Sequence, residues 1–318
     1  MAVPELLTIG RVSVDLYAEQ LGKPVREISS FRKSIGGTAT NVAVAAARLG
    51  RRSALATKVG DDAFGNYVAH ALENQFNVDP RFVSVDPELQ TPLAFAVLDP
   101  PAEPDIIFYR SPRAPDLNLD LADLDVEVIR EVPILWMPAS RFSDEYSHQM
   151  VSDVLDIRAR KAHTILDLDW RPMFWSSPSD ASQKIRPMLS QFTIAIGNRQ
   201  ECSIAVGTDD PDEAADRLLE EGLEMAVIKL GADGVMIATQ DGVRVSVKPF
   251  WVDAVCGLGA GDAFGGAFCH GLLEGWEPEK IITWGNAAGA IVTGRLMCAD
   301  DMPTQEDIRE LLASRDNA

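Results

Sequence analysis

Apolar and polar positions along the chain fall into two alternating rhythms. Short β-branched runs cover residues 6–9, 53–59, 134–137, 164–168, 192–196 and 225–229, and each predicts a buried strand. Helix-length stretches lie between them at 63–75, 146–161 and 211–221, and a closing helix is expected at 303–312. Residues 38–49 predict a further helix, ended by Gly50 where left-handed backbone favours glycine. Ala and Val occupy nearly every side of that helix, so it is expected to be buried all round. Strands alternating with helices give an α/β fold, a mainly parallel sheet sandwiched by helices.

Two segments, 12–31 and 91–110, break the rhythm and read as extended strands without helices between them. The second has a proline-rich turn at 100–104 between apolar runs at 93–98 and 106–109, a hairpin pattern. Together they predict a small antiparallel β lid, spanning about 12–35 and 91–112, over the carboxyl ends of the parallel strands. No internal repeat or linker-like shift divides the chain, so residues 1–318 are expected to form one unit.

Composition narrows the partners. Asp and Glu number 48 against 29 Lys and Arg, a formal charge of −19, so the chain repels nucleic acid and anionic lipid at long range. Cys202, Cys256, Cys269 and Cys298 form no CxxC pair and predict buried free thiols in a reducing compartment. No basic-then-apolar leader opens the sequence, and no apolar run reaches the ~18 residues of a membrane span. A cytoplasmic location is expected. An open edge of the lid invites pairing with a second copy, so a homodimer through the lid is a further expectation.

The chemistry concentrates in two glycine-rich segments. In VDAVCGLGAGDAFGGAF (252–268), Gly257, Gly259 and Gly261 precede Asp262 and a helical pattern. Glycines let the backbone approach a ligand closely, and a helix start offers unpaired N–H groups, which together make an anion hole. An Asp there can take a proton from an attacking hydroxyl. The plainer reading makes Asp262 a helix cap. Neither the dinucleotide fingerprint GxGxxG nor the P-loop GxxxxGK[ST] is matched. In GGTATNVAVAAARLG (36–50), a Gly-Gly pair enters the buried helix with Asn41 one turn in, fit either to tie down its own loop or to hold a polar ligand.

In this order the two segments resemble the paired signatures of the ribokinase-like (PfkB family) carbohydrate kinases. Intermediate markers also fall in order: GRVSVDL (10–16), GNRQE (197–201), IKLGADG (228–234) and NAAGA (286–290). The resemblance implies ATP-dependent phosphorylation of a sugar on a ribokinase-like fold. Asp262 would then be the catalytic base, with the backbone of Gly259, Ala260 and Gly261 stabilising the transferring phosphoryl group. Asp15, the Gly36-Gly37 pair and Asn41 would hold the sugar. Asn198 and Glu201 match an NxxE element that organises Mg²⁺ through water around the phosphates. Lys229, Gly231 and Gly234 would line the nucleotide site, with Asn286 and Ala290 flanking the adenine. The plainer alternatives make Glu201 a helix-start charge and Lys229 a solvated strand end. One departure stands out. Cys256 occupies the place of an Asp that helps bind a monovalent cation in the family, and a thiol is a poor ligand for a hard cation such as K⁺.

Three further stretches, 10–17, 108–116 and 167–175, are similar to those of the 5-dehydro-2-deoxygluconokinases of myo-inositol catabolism. The 2-keto-3-deoxygluconate kinases share part of the third. Ser13, Ala39 and Thr40 depart from the first of these groups, which more often has Gly, Pro and Ala there. Both substrates are sugar acids, and a carboxylate needs a cation in the pocket, best a guanidinium that grips it with two parallel bonds. Arg110, Arg171 and Lys33 are the candidates, with Asp169 as part of the Asp-x-Asp-x-Arg-Pro stretch. A silent sugar- or nucleotide-binding regulator on the same fold is the rival from another class, and the intact Asp262, Asn198 and Glu201 weigh against it.

Overall fold

A computed structural model describes residues 3–100 and 104–316. In chain order its strands are β1 (Leu6–Ile9), β2 (Ser13–Ala18), β3 (Phe31–Gly36), β4 (Ser53–Gly60), β5 (Val83–Asp86), β6 (Leu93–Val97), β7 (Asp105–Tyr109), β8 (Ile134–Pro138), β9 (Thr164–Asp167), β10 (Ile194–Asn198), β11 (Met225–Lys229), β12 (Val235–Thr239) and β13 (Arg244–Val247). Nine of them form one sheet in the order β13-β12-β11-β10-β9-β8-β1-β4-β5. From β11 through to β5 the neighbours run parallel, and β12 and β13 add an antiparallel edge. The parallel strands read as continuous apolar runs because both faces are covered, and β1, β8 and β9 are buried along their whole length.

The Thr38–Arg48 helix is buried from Thr38 to Ala46, as its small apolar residues on every side require. It packs against the Ala260–Leu273 helix so closely that a methyl group on Gly266 would overlap Ala45. That contact sets the two glycine-rich segments side by side.

The lid is a second sheet, β3-β2-β6-β7. Two of its pairings are antiparallel, and the central pair, β2 with β6, runs parallel. The extended segment expected over 12–31 is shorter than its apolar pattern suggested. Residues 19–30 leave the sheet around Gly22 and Pro24 and hold a single 3-10 turn, Val25–Glu27. Of the expected hairpin turn at 100–104, residues 101–103 lie outside the described residues. All four cysteines are buried and free, and among the described residues no helix is long and apolar enough to cross a membrane.

Candidate active site

The chain runs from β1 out to β4 and β5 on one side, then returns to place β8 against the other side of β1. Neighbouring strands whose connections leave in opposite directions open a crevice at their carboxyl ends. Polar side chains converge on it. Arg11 follows β1, Ser140 and Arg141 follow β8, Asp169 and Arg171 follow β9, and Lys229 closes β11. The lid supplies Asp15 from β2, and Arg110 follows β7. Between them lies a cavity whose wall includes Asp15, Gly37, Asn41, Arg110, Arg171 and Asp262.

Asp262 stands in the first turn of the Ala260–Leu273 helix, after a left-handed Gly259 (φ 79°). A side chain at Gly259 would press on Cys298, with its first carbon 2.7 Å from the sulfur, so the turn requires glycine. Asp262 is half-buried, and Asn41 Nδ2 donates to its Oδ2 across 2.7 Å. Burial raises its pKa, opposed by the Asn41 hydrogen bond and by the charge of Arg171. Asn41 Oδ1 is itself buried without a hydrogen-bond partner, an acceptor left for a ligand hydroxyl. Asp15 stands in the same cavity, with Ser13 Oγ donating to it at 2.6 Å, and burial pushes its pKa up to about 6. A methyl group on Gly36 would overlap the Asp15 carboxylate, so the first glycine of the pair makes room for this side chain.

The guanidinium groups are built on Asp169. It is 3% exposed and adopts a positive φ of 25°, a strained conformation for a residue with a side chain. Its carboxylate accepts from Ser140 Oγ (2.9 Å) and Thr38 Oγ1 (3.3 Å) and pairs with Arg11 (2.9 Å) and Arg171 (3.1 Å). Burial alone would raise the Asp169 pKa, but Arg11 and Arg171 outweigh it and hold the group ionised. Its oxygens are engaged by these four side chains, so Asp169 aims two arginines. Arg11 also donates to Ser140 Oγ at 2.8 Å and stacks 4.7 Å from the Phe174 ring. From sequence alone an arginine beside a short strand reads as a surface charge. The signal was its place in GRVSVDL, four residues before Asp15.

Lys33 does not reach the cavity. Across the β2–β3 ladder Asp15 faces Ser34, while Lys33 pairs with Leu16 on the opposite face of the lid. It is exposed, with Nζ 3.4 Å from the centroid of the Tyr67 ring.

Toward β10 and β11, Asn198 and Glu201 form a capping box. Asn198 Oδ1 accepts the Glu201 N–H (2.9 Å), and Glu201 Oε2 accepts the Asn198 N–H (2.6 Å). Glu201 Oε1 accepts from the Trp170 N–H, and Lys229 lies 3.8 Å from Oε2. Lys229 is therefore no solvated strand end. Burial opposes its charge, but Glu201, Asp167 and Asp262 together raise its pKa. A first side-chain carbon at Gly261 would lie 3.3 Å from its Nζ, which brings this cation to the glycine turn. Gly231 is exposed, and at Gly234 a side chain would overlap the Val247 carbonyl, so the latter glycine closes the β11–β12 hairpin over β13. Asn286 donates to the Lys248 carbonyl (2.8 Å) from the Pro278–Thr293 helix, which also carries the half-buried Ala290.

Comparison with known proteins is consistent across sequence and structure. The model of the pfkB family of carbohydrate kinases matches residues 3–305. A 5-dehydro-2-deoxygluconokinase from Clostridium perfringens is 30% identical over 314 residues, covering 97% of this chain and 92% of the relative. One from Clostridium beijerinckii is 30% identical over 315 residues, with the same coverage, 97% and 92%. Among solved structures, a fructokinase with bound ATP from Xylella fastidiosa superposes with a TM-score of 0.86 at 21% identity, covering 98% of this chain and 99% of that one.

Proposed function

The chain belongs to the pfkB family of carbohydrate kinases, and on that premise we propose that it transfers the terminal phosphoryl group of ATP to a primary hydroxyl of a keto-deoxy sugar acid. In this reading the substrate is 5-dehydro-2-deoxy-D-gluconate, the product is its 6-phosphate, and the step belongs to myo-inositol catabolism. The observation that carries it is one cavity bearing both a carboxylate fit to serve as base, Asp262, and the guanidinium groups of Arg110 and Arg171. Each is tied to a carboxylate of the chain through one nitrogen, Arg110 Nη2 to Asp116 and Arg171 Nε to Asp169, and a sugar carboxylate can take the guanidinium donors that remain. The names of the relatives point the same way.

The geometry supports the following roles. Asn41 fixes Oδ2 of Asp262, and Oδ1 takes the proton of the attacking hydroxyl. The backbone N–H groups of Gly259, Ala260 and Gly261 receive charge on the transferring group, with Lys229 close behind the turn. Asp15 and Asn41 Oδ1 accept sugar hydroxyls. The nucleotide lies toward Lys229, Gly231, Asn286 and Ala290. The lid covers the sugar and excludes water, so that the alcohol receives the phosphoryl group.

Mg²⁺ fits this site as an ion carried on the nucleotide. Among the described residues no group of three or more His, Cys, Asp or Glu side chains is set to hold a metal, and Glu201 and Asn198 would reach it through water. When bound it neutralises charge on the phosphates. K⁺ does not fit. The Cys256 thiol is buried, and burial raises its pKa, so it stays a neutral soft ligand, while Asp253 is exposed.

An ADP-release assay across a panel of sugars and sugar acids, with and without K⁺, tests the reading. The expected result is a kcat/KM for the keto-deoxy sugar acid about a hundredfold above ribose or fructose, the scale of one buried charged hydrogen-bonded pair. Equal turnover on the neutral sugars would refute the carboxylate assignment.

A further inference from the structure

A second cleft shares the wall formed by Arg11, Phe108 and Arg110 with the sugar cavity. Four guanidinium groups line it, those of Arg11, Arg110, Arg113 and Arg141, against two carboxylates, Asp116 and Asp144. The pairing is uneven. Arg113 grips Asp144 with two bonds, at 2.6 and 2.8 Å. Asp116, fully buried, accepts Arg110 Nη2 on both oxygens at 3.0 Å. Arg141 is left over. It is 1% exposed, and its Nη1 donates to the Asp116 carbonyl at 2.6 Å but stays 3.7 Å from the carboxylate. Its Nε and Nη2 have no hydrogen-bond partner among the described residues. Arg11 in turn shares Asp169 with Arg171.

With Arg11 on Asp169, Arg110 on Asp116 and Arg113 on Asp144, Arg141 is the guanidinium of this cleft without a carboxylate of its own, in a chain whose net charge is −19. A buried guanidinium with orphaned donors is destabilising unless a ligand completes it. Ser111 adds a hydroxyl on the same wall. Forked N–H donors on a wall with a positive balance match a tetrahedral oxyanion.

We propose that this cleft is a second anion site, which takes the phosphate group of a phosphate monoester or inorganic phosphate and lies apart from the phosphoryl-transfer turn. Because its occupant draws on Arg11 and Arg110, it weakens the hold of the sugar cavity on a sugar carboxylate. That coupling rests on the proposed function; the site itself does not.

Calorimetric titration of the full chain, free of sugar and nucleotide, tests the site. Inorganic phosphate and glycerol 3-phosphate are the probes, with chloride holding the ionic strength constant. One saturable site is expected, and the tighter of the two probes identifies the source of the phosphate group. Arg113→Gln and Arg141→Met should each weaken binding about tenfold or more, the scale of one charge-assisted pair, whereas Lys229→Gln should leave it unchanged. Arg113 lies partly at the surface, so its variant is expected to fold even if Arg141→Met does not. Absence of saturable binding overturns the proposal. So does binding that survives Arg113→Gln but is lost in Lys229→Gln, which assigns the phosphate to the nucleotide side. Phosphate should also raise KM for the sugar acid several-fold with kcat unchanged. An enzyme that prefers neutral sugars would sink the proposed function yet leave the calorimetric result standing.

Discussion

Asp262 and Asn41 are 221 positions apart in sequence and share a 2.7 Å hydrogen bond, and this single contact turns two glycine-rich segments into one site. Asp262→Asn keeps the shape and removes the base. Turnover should fall about 10²–10⁴-fold, the usual contribution of a positioned base, while equilibrium binding of the sugar stays within a few-fold. Activity near wild type would remove Asp262 from the mechanism. The pH profile carries the same information. Burial raises both Asp262 and Asp15, the latter to about 6, so kcat/KM should drop as pH falls below 6 and Asp15 takes up a proton. Asp262 was legible in the sequence because a carboxylate after three glycines at a helix start has few structural uses. Arg11 was not legible, because its role depends on Ser140, Thr38 and Asp169, which reach it only through the tertiary fold. Lys33 misled for the opposite reason. It lies near the Gly-Gly pair in sequence, but a one-residue offset in a strand puts a side chain on the other face.

At the scale of elements, the alternation of apolar runs and helices was legible in nearly every parallel strand, because strands covered on both faces must be apolar throughout. The edges were harder. β13 carries polar and exposed positions, and its pairing with the buried β12 is fixed by Gly234, whose missing side chain lets the hairpin pack on β13. The lid was legible as two extended segments, but the parallel pairing of β2 with β6 was not, since it joins strands about 80 residues apart with no local turn to signal it. The lid also holds a testable dependence. Gly36 leaves space that the Asp15 carboxylate fills, and their strands are tied by the Ser13–Gly36 and Asp15–Ser34 pairings. Gly36→Ala should push that carboxylate out of the cavity wall. Steady-state kinetics should then show a KM for the sugar raised by about tenfold or more, the scale of a lost charged hydrogen bond, with a smaller change in kcat. An unchanged KM would mean that Asp15 does not touch the sugar.

For the molecule as a whole, the site exacts a stability cost that depends on pH. Asp167 ends β9 inside the fold, 4% exposed, facing Lys229, Asp169, Glu201 and Asp262. Burial pushes its pKa up to about 8. Lys229 opposes the shift, and Asp169, Glu201 and Asp262 add to it. The folded chain therefore keeps a proton on Asp167 that the unfolded chain releases near 3.8, and stability from this group is full below that pH and lost as pH rises through 8. Other groups act in different windows. Asp15 acts below about 6 with the same sign, and His270, lowered to about 4 by burial, has the opposite sign below its unfolded value of 6.5. Between pH 7 and 8 the Asp167 contribution is the one left varying most. Urea unfolding should show the wild-type protein losing about 1 kcal/mol over that unit, and Asp167→Asn, which stays neutral at every pH, should flatten the slope. The amide keeps an oxygen to accept the Asp169 N–H, so the bend that aims Arg11 and Arg171 is retained. If wild type and variant keep the same slope, Asp167 is ionised in the folded state, and Lys229 must then neutralise it more fully than the buried geometry indicates.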